Sequence, residues 1–557
     1  MNIEEVQRRL WEQSHKHRDH READTPLFPT DPCEGRIRKL MDLMHNPTWI
    51  AAACQRVLKR SRGKASGVDR VTVSDFERNW EQRLEELRLE LKRGTYRPRP
   101  LRRVEIPKAN GKMRRLGIPC LRDKIVQEAI RMALEPIFEI EFHEASYGFR
   151  PNRNAHHAVF RCRQLAQAGF SWVIEGDVKA CFDEISHQAI LRCLREKIMD
   201  HKFLDLIRYI LKAGVQIDGV VHPTVKGVPQ GGVASPLLAN AVLNKLDWLL
   251  HSKGQHGKQT DITSRQGRPN IRFVRYADDW CVFLTRCGKR KALRLRDEIR
   301  DFLREECGLR LSDEKTRITH VRDGFDFLGF HLLVGTGKSG RLVPKIRVGQ
   351  KAITNIQRRL NEAVRHRPSQ ESLVARVTRG SAVIRGWSNY FSIAHNYSKV
   401  ASSLDHKSFW ITVKTICRKQ DISTAQCLQK YDRKNILRIY PGCSLARFSD
   451  TTMSLDYRGP RSYEPGHGVY STDTETEVDF RLSEQRRPGR ADLKWQALIR
   501  DGYYCRGCGV TVTARTSHAD HIEPVHRFAN FQQANSLDNI QTLCRRCHKF
   551  KTHRQEA

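Results

Sequence analysis

The stretch R-F-V-R-Y-A-D-D-W-C-V-F, residues 272–283, decides how this chain is read. Apolar runs on both sides of Asp278 and Asp279 read as two strands joined by a tight turn. Adjacent carboxylates in such a place repel each other and are costly to desolvate. A divalent cation that prefers hard oxygen ligands offsets both costs, so the turn points to a metal site. Taken alone, the pair fits a solvated turn equally well.

Composition says what a metal there would act on. The chain has 557 residues, 39% of them apolar, enough for several cores and about three or four domains. Its formal charge is +36, with the basic residues spread along the length. Such an excess points to a polyanionic partner, above all nucleic acid. Apolar runs long enough to span a membrane are missing, and the start, M-N-I-E-E-V-Q-R-R-L, has no apolar signal core. The expectation is a protein without membrane contact or secretion signal, cytoplasmic or nucleoid-associated if bacterial. Sixteen cysteines are too sparse for a disulfide scaffold. Two close pairs at the C-terminus look like metal binding in a reducing compartment.

Along the chain, residues 1–60 read mostly as helix. R-V-E-I-P-K-A-N-G-K-M-R-R-L-G-I-P (103–119) reads as a hairpin, and 123–138 has helical apolar spacing. S-W-V-I-E-G-D-V (171–178) reads as a core strand ending in Asp177. A polar loop (251–270) precedes the opening hairpin, and a charged helix (291–306) comes after it. Residues 341–391 carry eleven Lys/Arg against two Glu at helical apolar spacing, a basic helical region. Residues 440–490 read as linker or irregular structure. The fold class expected is multidomain α+β.

Nucleotidyl transfer needs a pentavalent phosphorus and a 3′-hydroxyl steadied together, which two Mg²⁺ ions do well. A third acid must then join Asp278 and Asp279. Asp177, 101 residues before Asp278, fits if the two strands are neighbours in a sheet.

Several blocks carry a resemblance. Y-A-D-D (276–279) is similar to the catalytic box of reverse transcriptases. P-Q-G-G-V-A-S-P-L-L-A-N (229–240), Y-G-F-R-P-N-R (147–153), I-P-K-A-N-G-K-M-R-R-L-G-I-P (106–119) and D-F-L-G-F (326–330) resemble, in order, the blocks of group II intron-encoded proteins. I-R-G-W-S-N-Y-F (384–391) resembles their maturase, or thumb, domain, and the last residues resemble their optional endonuclease. The resemblance implies an N-terminal helical extension (1–60), right-hand polymerase fingers and palm (61–335), a helical thumb or maturase domain (336–440), a linker or DNA-binding region (441–490) and an HNH endonuclease domain (491–557).

Carried over residue by residue, it makes Asp177 and Asp278 the principal Mg²⁺ ligands and Asp279 the neighbouring acid. Phe182, five residues after Asp177, would lie under the incoming sugar and exclude a 2′-hydroxyl, so that dNTPs are preferred; on spacing alone it also fits core filling. Lys108 and Arg114 resemble the cations that grip the triphosphate, with Arg115 the neighbouring alternative. Gln230 would contact dNTP or template, beside Gly231 and Gly232, which allow close backbone approach. Lys315 resembles a residue near the primer strand, or is a solvated lysine. Tyr276 fits core or a primer-side contact.

Arg347, Lys351, Arg358, Arg359, Arg365, Arg367, Arg376, Arg379 and Arg385 of the basic region suit phosphate contacts with folded RNA. Composition alone equally supports a clamp on the primer–template duplex. Trp387, Tyr390 and Phe391 could stack on bases, but core packing is expected for at least two of them.

Cys505, Cys508, Cys544 and Cys547 form two C-x-x-C pairs, the spacing of a structural Zn²⁺ site. Around them, S-H-A-D-H-I-E-P, S-L-D-N-I-Q-T-L-C and C-H-K-F-K resemble the His-Asn-His endonuclease motif, a ββα fold around one metal. The resemblance makes His521 the general base, Asn539 its orienting partner, and Asp520 and His548 ligands of Mg²⁺ or a similar ion. His518 is orienting or structural. Thr552, with His553 next to it, stands where some relatives carry a further metal-binding histidine.

The implied protein is an RNA-directed DNA polymerase that assists splicing of its host intron RNA and nicks target DNA to prime reverse transcription. Its partners would be that RNA as a ribonucleoprotein, target DNA, an RNA template with DNA primer, and dNTPs, with oligomeric state open. The alternatives are a reverse transcriptase with a defence or retron-like role, and an RNA-binding splicing cofactor without polymerase activity.

Overall fold

The computed structural model describes residues 1–19, 36–107, 113–254, 270–337, 339–368, 370–432, 436–440 and 443–455, and shorter pieces beyond, chiefly 505–508, 517–523 and 537–544. The chain forms two compact units, Met1–Tyr470 and Ser471–Ala557. Among the described residues no helix is long and apolar enough to cross a membrane.

Strands of the first unit are β1 (Leu101–Pro107), β2 (Met113–Ile118), β3 (Trp172–Asp177), β4 (Val215–Ile217), β5 (Val220–His222), β6 (Asn270–Tyr276), β7 (Asp279–Thr285), β8 (Arg317–His320), β9 (Phe325–Phe327), β10 (Phe330–Thr336), β11 (Leu342–Val348), β12 (Arg438–Tyr440) and β13 (Cys443–Ser444). One four-stranded sheet has the order β6-β7-β3-β8, all antiparallel. A second, β2-β1-β4-β5, contains the expected β1–β2 hairpin and a parallel β1–β4 pairing.

The β6-β7-β3-β8 sheet separates two cores, because side chains alternate faces along each strand. Val173, Val274, Cys281 and Phe283 share one core with Phe325, Phe330, Ile346 and Trp387. Ile174, Phe273, Trp280 and Val282 share the other with Ile125, Leu246 and Ile299. Two buried faces explain why 280–284 reads as a continuous apolar run. Gly176 lies opposite Trp280, and a Cβ there would sit 2.0 Å from the indole.

The helix Leu121–Glu139 is buried nearly throughout. Its acids are tolerable because Arg131 pairs with Glu128 at 2.8 Å and with Glu135, while Arg150 pairs with Glu139 at 2.7 Å. The N-terminal helices close over it. Leu10, Trp49 and Ile50 belong to the same core, and Trp49 Nε1 donates to the Ala129 carbonyl at 3.1 Å. The N-terminal segment therefore shares one core with this helix and with β3, β6 and β7.

The basic region forms helices Gln350–Leu360, Leu373–Phe391, Tyr397–Gln420 and Thr424–Tyr431. The start of the expected linker folds on them. Tyr397 donates to the Phe448 carbonyl at 2.7 Å, and the Phe448 ring meets Trp387 edge-on at 5.3 Å.

In the second unit, β14 (Ser517–His521) and β15 (Ile540–Cys544) pair antiparallel, with helical residues at 547, 548 and 551. Its small core holds Cys505, Val512 and Leu543.

Candidate functional site

The sheet order brings the three acids together. Asp177 ends β3 and lies directly opposite Asp279, the first residue of β7, and Asp278 occupies the β6–β7 turn. Ala277 enters that turn at φ 58, in the left-handed region. A small side chain there adds little to the strain. The turn is held from beneath by Arg275, which is fully buried. Its Nη1 donates to the Ala277 carbonyl at 3.0 Å and to Asn240 Oδ1 at 2.8 Å, while Asp247 neutralises its charge.

Crowding of the carboxylates shows in their protonation. Burial, then the charge of Asp177, holds Asp278 above the usual carboxylate range. Asp279 is pushed up to about 7 by burial, then by Asp278 and Asp177, with which it shares a hydrogen bond. One side of Asp279 opens to solvent while protein crowds the other, so water screens part of this repulsion. Lys315 Nζ lies 2.7 Å from Asp177 Oδ2. Burial works against its ammonium, but the bond to Asp177 outweighs it, and its pKa rises. The set is over-supplied with oxygen ligands and short of cations, which suits divalent metal.

Phe182 lies in the short helical turn Cys181–Glu184, launched from Ala180 at φ 46. The P-Q-G-G loop is stitched to that turn: Val228 N donates to the Phe182 carbonyl at 2.6 Å and Gly227 N to the Ile185 carbonyl at 2.7 Å. A Cβ on Gly227 would lie 2.6 Å from the Asp183 carbonyl oxygen, so the approach requires glycine. Gln230 Nε2 donates to Asp183 Oδ2 at 2.9 Å, but its Oε1 is buried without a hydrogen-bond partner. Arg114 and Arg115 point to opposite faces of β2. Arg115 pairs with Glu105 at 3.5 Å, whereas the charge of Arg114 acts on Asp278. Lys108, Thr552 and His553 lie outside the described residues.

In the basic region Trp387 and Phe391 are buried, and Tyr390 donates to the Leu328 carbonyl at 2.9 Å. These rings pack the core, as expected for at least two of them. Arg376 corrects the reading of the basic run. It is buried, and its Nη2 donates to the Pro368 carbonyl at 2.6 Å and the Arg367 carbonyl at 3.3 Å, so it holds a loop and cannot meet phosphate. Arg347, Lys351, Arg358, Arg359, Arg365, Arg367 and Arg385 are exposed.

In the second unit the sulfurs of Cys505, Cys508, Cys544 and Cys547 lie within 4.8 Å of one another. A tetrahedral zinc–thiolate site needs sulfurs about 3.8 Å apart, and Cys508 Sγ to Cys544 Sγ is 3.7 Å. Burial opposes ionisation of Cys505, but backbone N–H donors led by Cys544 outweigh it and hold its thiol at about 6. The donor set fits zinc.

Asp520 and His521 end β14. His548 Nε2 lies 3.8 Å from Asp520 Oδ1, and its ring stacks on His518 at 4.7 Å. Lys551 Nζ rests against Asp520 Oδ2 at 2.7 Å, the His521 carbonyl and the Ile522 carbonyl. A cation thus already sits where Asp520 and His548 could both reach an ion. Asn539 is buried, its Oδ1 accepting from Glu523 N at 2.8 Å and its Nδ2 donating to Glu523 O at 3.2 Å. It anchors the chain just past His521.

Comparison with known families matches residues 106–332 to reverse transcriptase (RNA-dependent DNA polymerase), 353–431 to the group II intron maturase-specific domain, and 505–554 to HNH endonuclease. The chain is 40% identical over 334 residues to Protein YkfC of Escherichia coli (strain K12), covering 56% of this chain and 87% of that protein. It is 29% identical over 433 residues to the group II intron-encoded protein LtrA of Lactococcus lactis subsp. cremoris, covering 65% and 72%. It is 28% identical over 590 residues to the putative COX1/OXI3 intron 2 protein of Saccharomyces cerevisiae, covering 92% and 66%.

The chain belongs to the group II intron-encoded reverse transcriptase/maturase family. It is an enzyme with polymerase and HNH nuclease domains. In this intron-encoded protein the residues that sequence reasoning missed are Arg275 and Asp247, which support the acid turn from below. The signal was present: an arginine inside an apolar strand needs a buried acid partner.

Proposed function

We propose that Asp177, Asp278 and Asp279 form a two-Mg²⁺ polymerase centre, in a palm and fingers built from residues 61–335 with a thumb at 336–440. The observation that carries this is the pairing of Asp177 with Asp279 beside the Asp278 turn. When bound, the ions activate the primer 3′-hydroxyl and stabilise the charge that builds on the pyrophosphate. Asp177 and Asp278 would hold the ions, with Asp279 as the neighbouring acid. Arg114 neutralises the triphosphate, together with Lys108. The unpaired Oε1 of Gln230 offers an acceptor to nucleotide or template. Phe182 forms the floor under the sugar.

The exposed arginines of the basic helices grip the phosphates of the protein's own intron RNA and favour its active fold. In the nuclease, His521 takes a proton from water, Asp520 and His548 would hold a divalent ion, and the four cysteines would hold a structural zinc that ties the small domain together. The nick supplies the 3′-hydroxyl that the polymerase extends on the RNA template.

Reconstitution with the flanking intron RNA tests this. Asp278→Ala should abolish dNTP incorporation and leave RNA binding and splicing assistance intact. Extension at the wild-type rate would sink the assignment. Loss of splicing assistance together with polymerisation would favour a structural role for the turn. Polymerisation without response to the intron RNA would favour a defence or retron-like enzyme.

A further inference from the structure

Phe149 has an unusual combination of properties. It is an aromatic residue at φ 56, in the left-handed region that L side chains avoid, and the residue is 42% exposed. An exposed apolar ring gives little burial in return for that strain. The loop around it is nevertheless fixed. Asn240 Nδ2 donates to the Gly148 carbonyl at 2.8 Å, and a Cβ on Gly148 would lie 2.4 Å from Ala277 N, against the acid turn. Arg150 is buried and donates to the carbonyls of His143 at 2.6 Å and Ser146 at 2.9 Å. The scaffold thus imposes the conformation of Phe149.

What the strained residue meets is Phe182. The two rings are perpendicular, 87° apart, with centroids at 6.4 Å. Together with Cys181, Pro236, Ala277 and Asp278 they line one hollow beside the acid turn. Phe182 is itself only half-buried and lies on a four-residue helical turn, so its own element gives its ring little lateral support. Two left-handed non-glycine residues, Phe149 and Ala277, line this one hollow, and a third, Ala180, immediately precedes Cys181 and Phe182, which line it too.

We propose that Phe149 is a positioning residue for sugar discrimination: its ring edge fixes the tilt of Phe182, so selection of deoxy- over ribonucleotides depends on the pair. The proposal rests on the reading of Phe182 as the floor under the sugar. A ring free to tilt leaves room for a 2′-hydroxyl, while a braced ring does not. Contacts of this size in a pocket change discrimination by about tenfold or more.

The test is primer extension by the full-length protein with Phe149→Gly, Phe149→Tyr and Phe182→Ala, reading the ratio of kcat/KM for dNTP to that for rNTP. Glycine removes ring and strain together, so the variant should keep its melting temperature. Phe149→Gly is expected to lower the ratio about tenfold, mainly by admitting rNTP, with dNTP turnover kept; Phe149→Tyr retains the ring edge and should restore the ratio. In the double variant Phe149→Gly/Phe182→Ala the two losses should not add. If Phe182→Ala lowers the ratio and Phe149→Gly does not, the bracing role is wrong and the floor stands. An equal rise in KM for both nucleotides in Phe149→Gly would likewise overturn it, placing the ring against base or primer. If Phe182→Ala leaves the ratio unchanged, the floor itself fails, and bracing with it.

Discussion

The guanidinium of Arg275 lies fork-to-fork on the carboxylate of Asp247, with Nε–Oδ1 at 2.7 Å and Nη2–Oδ2 at 2.6 Å, and neither residue reaches solvent. The pair ties the helix Ser235–Ser252 to the strand that ends in the acid turn. A spare nitrogen of the same fork holds the Ala277 carbonyl. Arg275→Met would leave Asp247 buried without a partner, at a cost of about 3–5 kcal/mol in chemical denaturation. Arg275→Met combined with Asp247→Leu removes both charges and should recover most of that stability. It should not recover dNTP incorporation, because Ala277 has lost its donor. Recovery of both would show that the pair serves stability alone.

Asp279 gives the metal-free protein a pH dependence. An acid whose folded pKa is raised binds protons more tightly when folded, so its contribution favours folding at low pH. That contribution falls as pH rises from near 4 through about 7. Asp279→Asn should therefore melt higher than the parent at pH 8 without magnesium, by roughly 1–2 kcal/mol after allowance for the solvent-facing side. Near pH 4 the two should melt alike. Magnesium should stabilise the parent at pH 8 and the variant less. Equal melting of both proteins at pH 8 would mean that solvent already relieves the crowding.

Gly148 presses on the acid turn, where an added Cβ would lie 2.4 Å from Ala277 N and 2.9 Å from the Tyr276 carbonyl carbon. Both neighbours are backbone and cannot swing aside. Gly148→Ala should cost about 1–3 kcal/mol and displace the turn. Polymerisation should fall by about a hundredfold, the effect of moving a reacting group by an ångström. RNA binding through the exposed basic helices should persist, as a filter-binding assay would show.

Much of this was legible in the sequence, and the exceptions have physical reasons. The strand ending at Asp177, the hairpin around Asp278 and the paired cysteines were readable because period-two patterning and metal-ligand spacing are local signals. The union of Asp177 with Asp279 needed only two strands to be neighbours, and the sheet order supplies that. Arg275 was missed because its partner, Asp247, is distant in sequence and on another element. Arg376 was misread as one of a basic run, although it shares the spacing of Leu373, Val377 and Ile384, all buried. The strain at Phe149 could not be read at all, since φ at a non-glycine residue is imposed by packing from Gly148 and Arg150.

The second unit has so small a core that its hairpin should depend on metal. Cys505, Val512 and Leu543 alone make up its buried apolar cluster among the described residues, and two of the four clustered sulfurs sit on or beside β15. Cys544→Ser should lose about one zinc per chain and abolish DNA nicking. Synthesis of cDNA on a supplied primer should continue, because the polymerase acids lie in the other compact unit. His521→Ala should also abolish nicking but keep its zinc, since a general base makes no contribution to the thiolate site. Metal analysis of the two purified variants separates them. Nicking by His521→Ala at the parental rate would exclude that imidazole as the base, and full zinc content in Cys544→Ser would exclude the four-thiolate site.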